Sequence, residues 1–183
     1  GLDIAYLASK GIIKLRFDKN SVTNDESDMF LQKIGETFKD DILSYENITV
    51  EKVLANLISD STLKISFVES ITGGLISSLL VKNPGISKYF IGSDIVYTKE
   101  SKNLLLNDEN INFDDWDELT LNLTESSINK YKSNVALTIL GEAGPISSSK
   151  YPVGTIFICI SNGEKTVISD HKLNGNLSLI HIS

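Results

Sequence analysis

Hydrophobic positions along the chain follow two patterns, one typical of helices and one typical of strands. Apolar side chains at helical spacing predict amphipathic helices over 28–43 and 49–59, whereas the polar stretch 18–28 predicts a loop. The same spacing predicts further helices at 75–80, 99–106 and 116–128. Helices and apolar runs therefore alternate along most of the chain.

Compact apolar runs between these helices predict strands. The interior strands are expected at 63–68, 91–98 and 135–140. Two final strands, 153–161 and 165–169, are joined through Asn162-Gly163, a dipeptide typical of tight hairpins. Strands separated by helices pair in parallel, and a hairpin adds an antiparallel pair. The pattern predicts an α/β fold: a three-layer α/β/α sandwich with a mixed, mainly parallel sheet.

A separate small unit is expected ahead of this sandwich. Residues 4–17 contain two short strand-like runs around Ser9-Lys10-Gly11, which predicts a hairpin. Together with the helix expected over 28–43, this hairpin would form a small α/β segment. We therefore expect one unit over residues 1–48 and the main domain over 49–176.

Composition excludes several classes of function. The chain has 183 residues, 41% hydrophobic content and no apolar run long enough to span a membrane. A formal net charge of −7 without a basic stripe argues against a nucleic-acid partner. A single cysteine excludes a disulfide framework and a cysteine-rich zinc site. We expect a cytosolic protein that needs neither a metal nor a cofactor.

The stretch FVESITGGLISSLL places Ser70 and two glycines between a strand and a helix. At the carboxyl end of a strand, unpaired amides beside a serine could bind an anion or the oxyanion of an acyl intermediate. The alternative is that Ser70 or Thr72 only caps the helix. A nucleophilic serine also needs a base, and a lysine such as Lys102 can act as one if burial lowers its pKa.

Four motifs occur in a fixed order along the chain: ESITGG, VYTKESK, GEAGP and PVGTIFI. This order resembles the C-terminal domain of the CinA family, the nicotinamide-nucleotide amidases, whose motifs run approximately AESCTGG, VTYSNEAK, TGIAGP and KPVGTV. The match covers about residues 58–176. Residues 1–48 are similar to part of the small middle domain that precedes this module in the family.

The resemblance implies a metal-free hydrolysis of the carboxamide of nicotinamide mononucleotide, giving nicotinate mononucleotide and ammonia. By position, Ser70 would be the nucleophile, and Tyr97 and Lys102 would activate it and transfer its proton. These three side chains are expected to converge on one pocket. The implied substrate-binding residues are Thr72, Gly73, Gly74, Gly141 and Gly144. The family also tends to associate, which implies a homo-oligomer.

Some positions depart from the family pattern. Leu140 replaces a threonine or serine, residues 146–150 replace a glycine-rich turn, and Leu177 stands where an arginine is usual. The last residues, 177–183, are expected to be a non-native tail. These departures leave an alternative open: a catalytically impaired nucleotide-binding or regulatory module of the same family.

Overall fold

The computed structural model describes residues 3–9, 11–18, 20, 22–108 and 110–173. The expected tail at 177–183 and the last three residues of the expected domain 49–176 lie outside the described residues. The chain divides between Ile48 and Thr49 into two compact units. None of the helices formed by the described residues is long and apolar enough to cross a membrane.

In the part of the first unit that the structure describes, a hairpin is followed by one α-helix. Strands β1 (Ile4–Ser9) and β2 (Ile12–Phe17) pair antiparallel, as predicted. Helix α1 covers Asn24–Thr37, so both predicted boundaries, 28 and 43, were wrong. The helix begins early because Thr23 and Glu26 form a capping box, in which each side chain binds the other residue's backbone N–H.

The described residues of the second unit form four α-helices and a five-stranded sheet. The helices are α2 (Val50–Ser61), α3 (Leu75–Leu80), α4 (Lys99–Leu106) and α5 (Trp116–Tyr131). The strands are β3 (Ile65–Glu69), β4 (Phe90–Ile95), β5 (Val135–Gly141), β6 (Thr155–Ser161) and β7 (Thr166–Lys172). A short 3₁₀ helix covers Ile86–Lys88.

The sheet has the strand order β4-β3-β5-β6-β7. Strand β3 pairs in parallel with β4 and β5, whereas β5, β6 and β7 pair antiparallel. The mixed sheet and the final hairpin are therefore confirmed. Two of the four strand pairings in this five-stranded sheet are parallel, and the other two are antiparallel.

Alternation along β3 distributes two apolar cores to opposite faces of the sheet. Phe67 packs with Ala55 and Leu80, on the side of α2 and α3. The next residue, Val68, packs with Leu123 of α5, in a cluster on the opposite face of the sheet. Successive side chains of a strand point to opposite faces, so helices cover both faces and the predicted α/β/α layering is confirmed.

The parallel register brings the ends of β3 and β4 to the same edge of the sheet. Glu69, the last residue of β3, pairs with Ile95, the last residue of β4. The Val96 N–H continues this pairing by donating to the Glu69 carbonyl at 2.8 Å. The segments that follow the two strands therefore start side by side.

The core around α5 generates a stability prediction. Leu123 is fully buried, so Leu123→Ala should lower the free energy of unfolding by about 2–5 kcal/mol, through lost burial and a residual cavity. The control Leu104→Ala changes a helix side chain that is 82% exposed and should cost less than about 0.5 kcal/mol. Urea unfolding monitored by fluorescence of Trp116, the sole tryptophan, measures both. Equal losses in the two variants would contradict this packing.

Candidate active site

The turn after β3 carries Ser70 and both glycines. The Ser70 N–H donates to the Ile139 carbonyl at 3.0 Å, and the Gly73 N–H donates to the Ser70 carbonyl at 3.1 Å. Gly73 and Gly74 have φ of +59° and +96°, in the left-handed region that glycine adopts at low cost. A Cβ on Gly74 would also lie 2.8 Å from the Ile95 Cδ1. The glycines therefore allow a tight turn from β3 into α3.

Lys102 approaches this turn from the first turn of α4. Thr98 caps the helix through a reciprocal bond with Ser101, and the Lys102 N–H donates to the Thr98 carbonyl. The Lys102 Nζ donates to the Val96 carbonyl at 2.8 Å and to the Ser70 Oγ at 3.4 Å. Ser70 itself is buried. Helix α4 thus brings an amine into contact with the predicted nucleophile.

Burial and, to a lesser extent, the positive charge of Lys99 together lower the pKa of the Lys102 amine to about 8. An ammonium group has no lone pair, so it can only donate to a hydroxyl. The neutral amine can instead accept the hydroxyl proton of Ser70, as a general base must. The pair can therefore activate the serine in mildly alkaline solution.

Tyr97 makes no hydrogen bond with this pair. Its side chain is 61% exposed, and its hydroxyl makes no hydrogen bond with any described residue. Of the three expected residues, the structure therefore joins Ser70 and Lys102 by a hydrogen bond, and Tyr97 makes none with them.

The turn amides also differ from what the resemblance implied. Besides the Gly73 bond, the Gly74 N–H donates to the Glu69 carboxylate at 3.1 Å, so neither amide is free to bind an oxyanion. The Thr72 N–H donates to no residue in the described part of the chain. Of the three implied turn donors, Thr72 is the one that keeps an available N–H.

Glu69 is the residue that sequence reasoning missed. Its side chain is only 1% exposed, although it carries a carboxylate. Five donors surround this group, and they are the Thr72 and Ser77 hydroxyls and the backbone N–H groups of Gly74, Ile76 and Ser77. The available signal was an acidic residue at the end of an apolar strand, just before a helix start that favours negative charge.

Gly141 and Gly144 both have a packing role. A Cβ on Gly141 would lie 2.6 Å from the Ile71 Cδ1, and one on Gly144 would lie 2.6 Å from the Val153 Cγ1. Gly144 also has φ of +78°. These contacts explain the glycines without a ligand, and their substrate-binding role stays a prediction.

Two departures from the family pattern are accommodated by local contacts. Leu140 is buried in the apolar cluster that contains Val68. In the segment that replaces the glycine-rich turn, the Ser148 and Ser149 hydroxyls donate to the buried Glu142 carboxylate, at 3.2 and 2.7 Å. Both departures therefore have stabilising partners.

The burial of Lys102 predicts a pH-dependent stability. Because its pKa is about 8 in the folded state and 10.5 in its ordinary environment, the unfolded state binds more protons between these pH values. The free energy of unfolding should therefore gain a contribution that increases with pH over that interval. Lys102→Met removes the destabilisation, so its stability advantage over the unsubstituted chain should be largest below pH 8 and should shrink toward pH 10.5. Urea unfolding across this range measures the difference, and a constant difference would contradict the burial effect.

Comparison with known proteins places the chain in a family. The sequence profile of the CinA C-terminal domain matches residues 47–182. A CinA-like protein from Flavobacterium psychrophilum is 33% identical over 171 aligned positions, covering 87% of this chain and 41% of that protein. A CinA-like protein from Syntrophomonas wolfei is 28% identical over 190 positions, covering 99% of this chain and 46% of that protein. The chain spans about half the length of the curated relatives it matches.

The fold is also shared with solved structures. The competence damage-inducible protein A (ComA) from Klebsiella pneumoniae superposes with a TM-score of 0.67 at 14% identity, covering 72% of this chain and 85% of that one. At this identity the likeness shows the fold alone. The resemblance predicted from four ordered motifs is thus confirmed, and the chain belongs to the CinA family, whose C-terminal domain matches its residues 47–182.

Proposed function

We propose that this chain is an amidohydrolase that converts nicotinamide mononucleotide to nicotinate mononucleotide and ammonia. The observation that carries the proposal is the 3.4 Å contact between the Lys102 Nζ and the Ser70 Oγ, together with the burial that lowers the lysine pKa. A hydroxyl beside a base of this kind is typical of nucleophilic acyl transfer. The expected cytosolic location and self-association stay predictions.

The proposed reaction has two half-reactions. In the first, the Ser70 oxygen attacks the carboxamide carbon while the Lys102 amine takes the hydroxyl proton. The resulting ammonium then donates a proton to the leaving nitrogen as the C–N bond breaks, which releases ammonia and leaves an ester on Ser70. In the second, Lys102 takes a proton from water, the hydroxide attacks the ester, and the proton returns to Ser70 as the acid leaves.

The developing oxyanion needs a hydrogen-bond donor near Ser70. The N–H of Thr72, two residues after the nucleophile, supports this part of the proposal because no described residue accepts its bond. Gly73 and Gly74 are assigned no such role, since their N–H groups bind the Ser70 carbonyl and the Glu69 carboxylate. Tyr97 is assigned no proton transfer, because its hydroxyl makes no hydrogen bond with Ser70 or Lys102.

A second candidate is a module that binds the nucleotide without turning it over. Two observations favour it: the pairing of the Gly73 and Gly74 amides, and the apolar Leu140 at a position where the resemblance implies a hydroxyl. Fewer donors toward an acyl intermediate would weaken transition-state stabilisation more than substrate binding. The two candidates differ in turnover.

Ammonia release from nicotinamide mononucleotide tests the amidase proposal. Ser70→Ala and Lys102→Met should each lower kcat by about a thousandfold or more, because residues that act as one nucleophile–base unit fail together. Coupled detection of ammonia at pH 8 to 9 measures the loss. Tyr97→Phe is the matched control in the same segment and should retain most of the activity.

Two results would contradict the proposal as a whole or its mechanism. One is full activity in Ser70→Ala, which would exclude this serine as the nucleophile. The other is tight binding of nicotinamide mononucleotide by calorimetry with no ammonia released by the unsubstituted chain, which would favour the binding module.

A further inference from the structure

Glu69 contacts more of the site than its role as a strand residue requires. One carboxylate oxygen accepts from the Thr72 hydroxyl at 2.7 Å and from the N–H groups of Gly74 and Ile76 at 3.1 Å. The other oxygen accepts from the N–H and hydroxyl of Ser77, at 2.8 and 2.5 Å. The carboxylate therefore joins the turn after Ser70 to the first turn of α3.

The backbone of Glu69 reaches the lysine side of the site. Its carbonyl accepts from the Val96 N–H at 2.8 Å, and the Val96 carbonyl in turn accepts from the Lys102 Nζ at 2.8 Å. Ser70 is the next residue along the chain. Glu69 is thus linked to both sides of the site. Its carboxylate binds the turn that follows the nucleophile, and its backbone carbonyl binds Val96, whose own carbonyl holds the base.

We infer that Glu69 is a positioning residue that holds the Ser70 hydroxyl within reach of the Lys102 amine. This inference rests on the proposed function. Hydrogen bonds to an ionised carboxylate are stronger and shorter than those between neutral groups, so five of them fix the turn more firmly than neutral caps would. A catalytic pair needs such support, because a misplacement of 1 Å can cost about a hundredfold in rate.

The isosteric variant Glu69→Gln separates this role from the packing of the side chain. Its amide nitrogen cannot accept hydrogen bonds, so at least two of the five donors lose their acceptor while the side-chain volume is kept. We expect kcat to fall by about a hundredfold with KM nearly unchanged. Ser77→Ala, which removes one of the five donors, should also lower kcat, but by a smaller factor. It replaces Glu69→Gln in the test if that variant does not fold.

The matched control lies in the same strand. Ser66 is fully buried in β3, and its hydroxyl bonds to the Ser127 and Ser133 hydroxyls, both at 2.8 Å, at the other end of the strand. Ser66→Ala should lower the thermal unfolding temperature without lowering kcat. If Glu69 had only a structural role, Glu69→Gln would likewise lower the unfolding temperature without lowering kcat. The Glu69→Gln and Ser66→Ala variants, at equal unfolding temperature, would then have equal kcat. That result would overturn the inference.

A crystal structure of Glu69→Gln, or of Ser77→Ala if that variant replaces it, tests the inference without turnover. We expect the distance between the Ser70 Oγ and the Lys102 Nζ to lengthen beyond hydrogen-bond reach while β3, β4 and β5 keep their pairing. An unchanged distance would overturn the positioning role even if the chain is an active amidase. If the unsubstituted chain releases no ammonia, the proposed function fails, and this distance still decides whether Glu69 positions the pair.

Discussion

The burial of one lysine amine against one serine hydroxyl is the constraint on which the site depends. The buried amine loses hydration, and the Val96 carbonyl and the Ser70 hydroxyl replace it as hydrogen-bond partners. Both partners are placed by the parallel pairing of β3 and β4, whose ends meet at one edge of the sheet. The Glu69 carbonyl continues that pairing. Fold and chemistry are therefore coupled through the backbone at the strand ends.

Sequence patterns predicted helices and strands that have local sequence signals, and they predicted the directions of side chains less well. Asn162-Gly163 identified the final hairpin because a tight turn needs that chemistry, whereas the Thr23 capping box was hidden in a polar stretch. The ordered motifs predicted that Ser70 and Lys102 belong together. They could not predict that Tyr97 is mostly exposed and makes no hydrogen bond with this pair, since motif order contains no information on side-chain contacts. Nor could they predict that Glu69 is buried, because its five donors come from a turn and a helix start.

The site combines features of an enzyme with a reduced set of donors. A serine beside a lysine of lowered pKa supports nucleophilic chemistry. The turn amides at Gly73 and Gly74, however, are used to hold the turn, so Thr72 is left as the turn residue with an available N–H. The proposal therefore requires more catalysis from the serine–lysine pair and less from the surrounding amides than the family motifs alone imply.

The most direct test of this account is the pKa of the Lys102 side chain itself. Nitrogen-15 NMR of a chain labelled at lysine, titrated from pH 6 to 12, would follow each amine separately, and the signal missing from Lys102→Met identifies the one of interest. We expect a pKa of about 8 for that amine. A value near the ordinary 10.5 would contradict it, because the amine would then still be an ammonium, unable to take the serine proton, at pH 8 to 9.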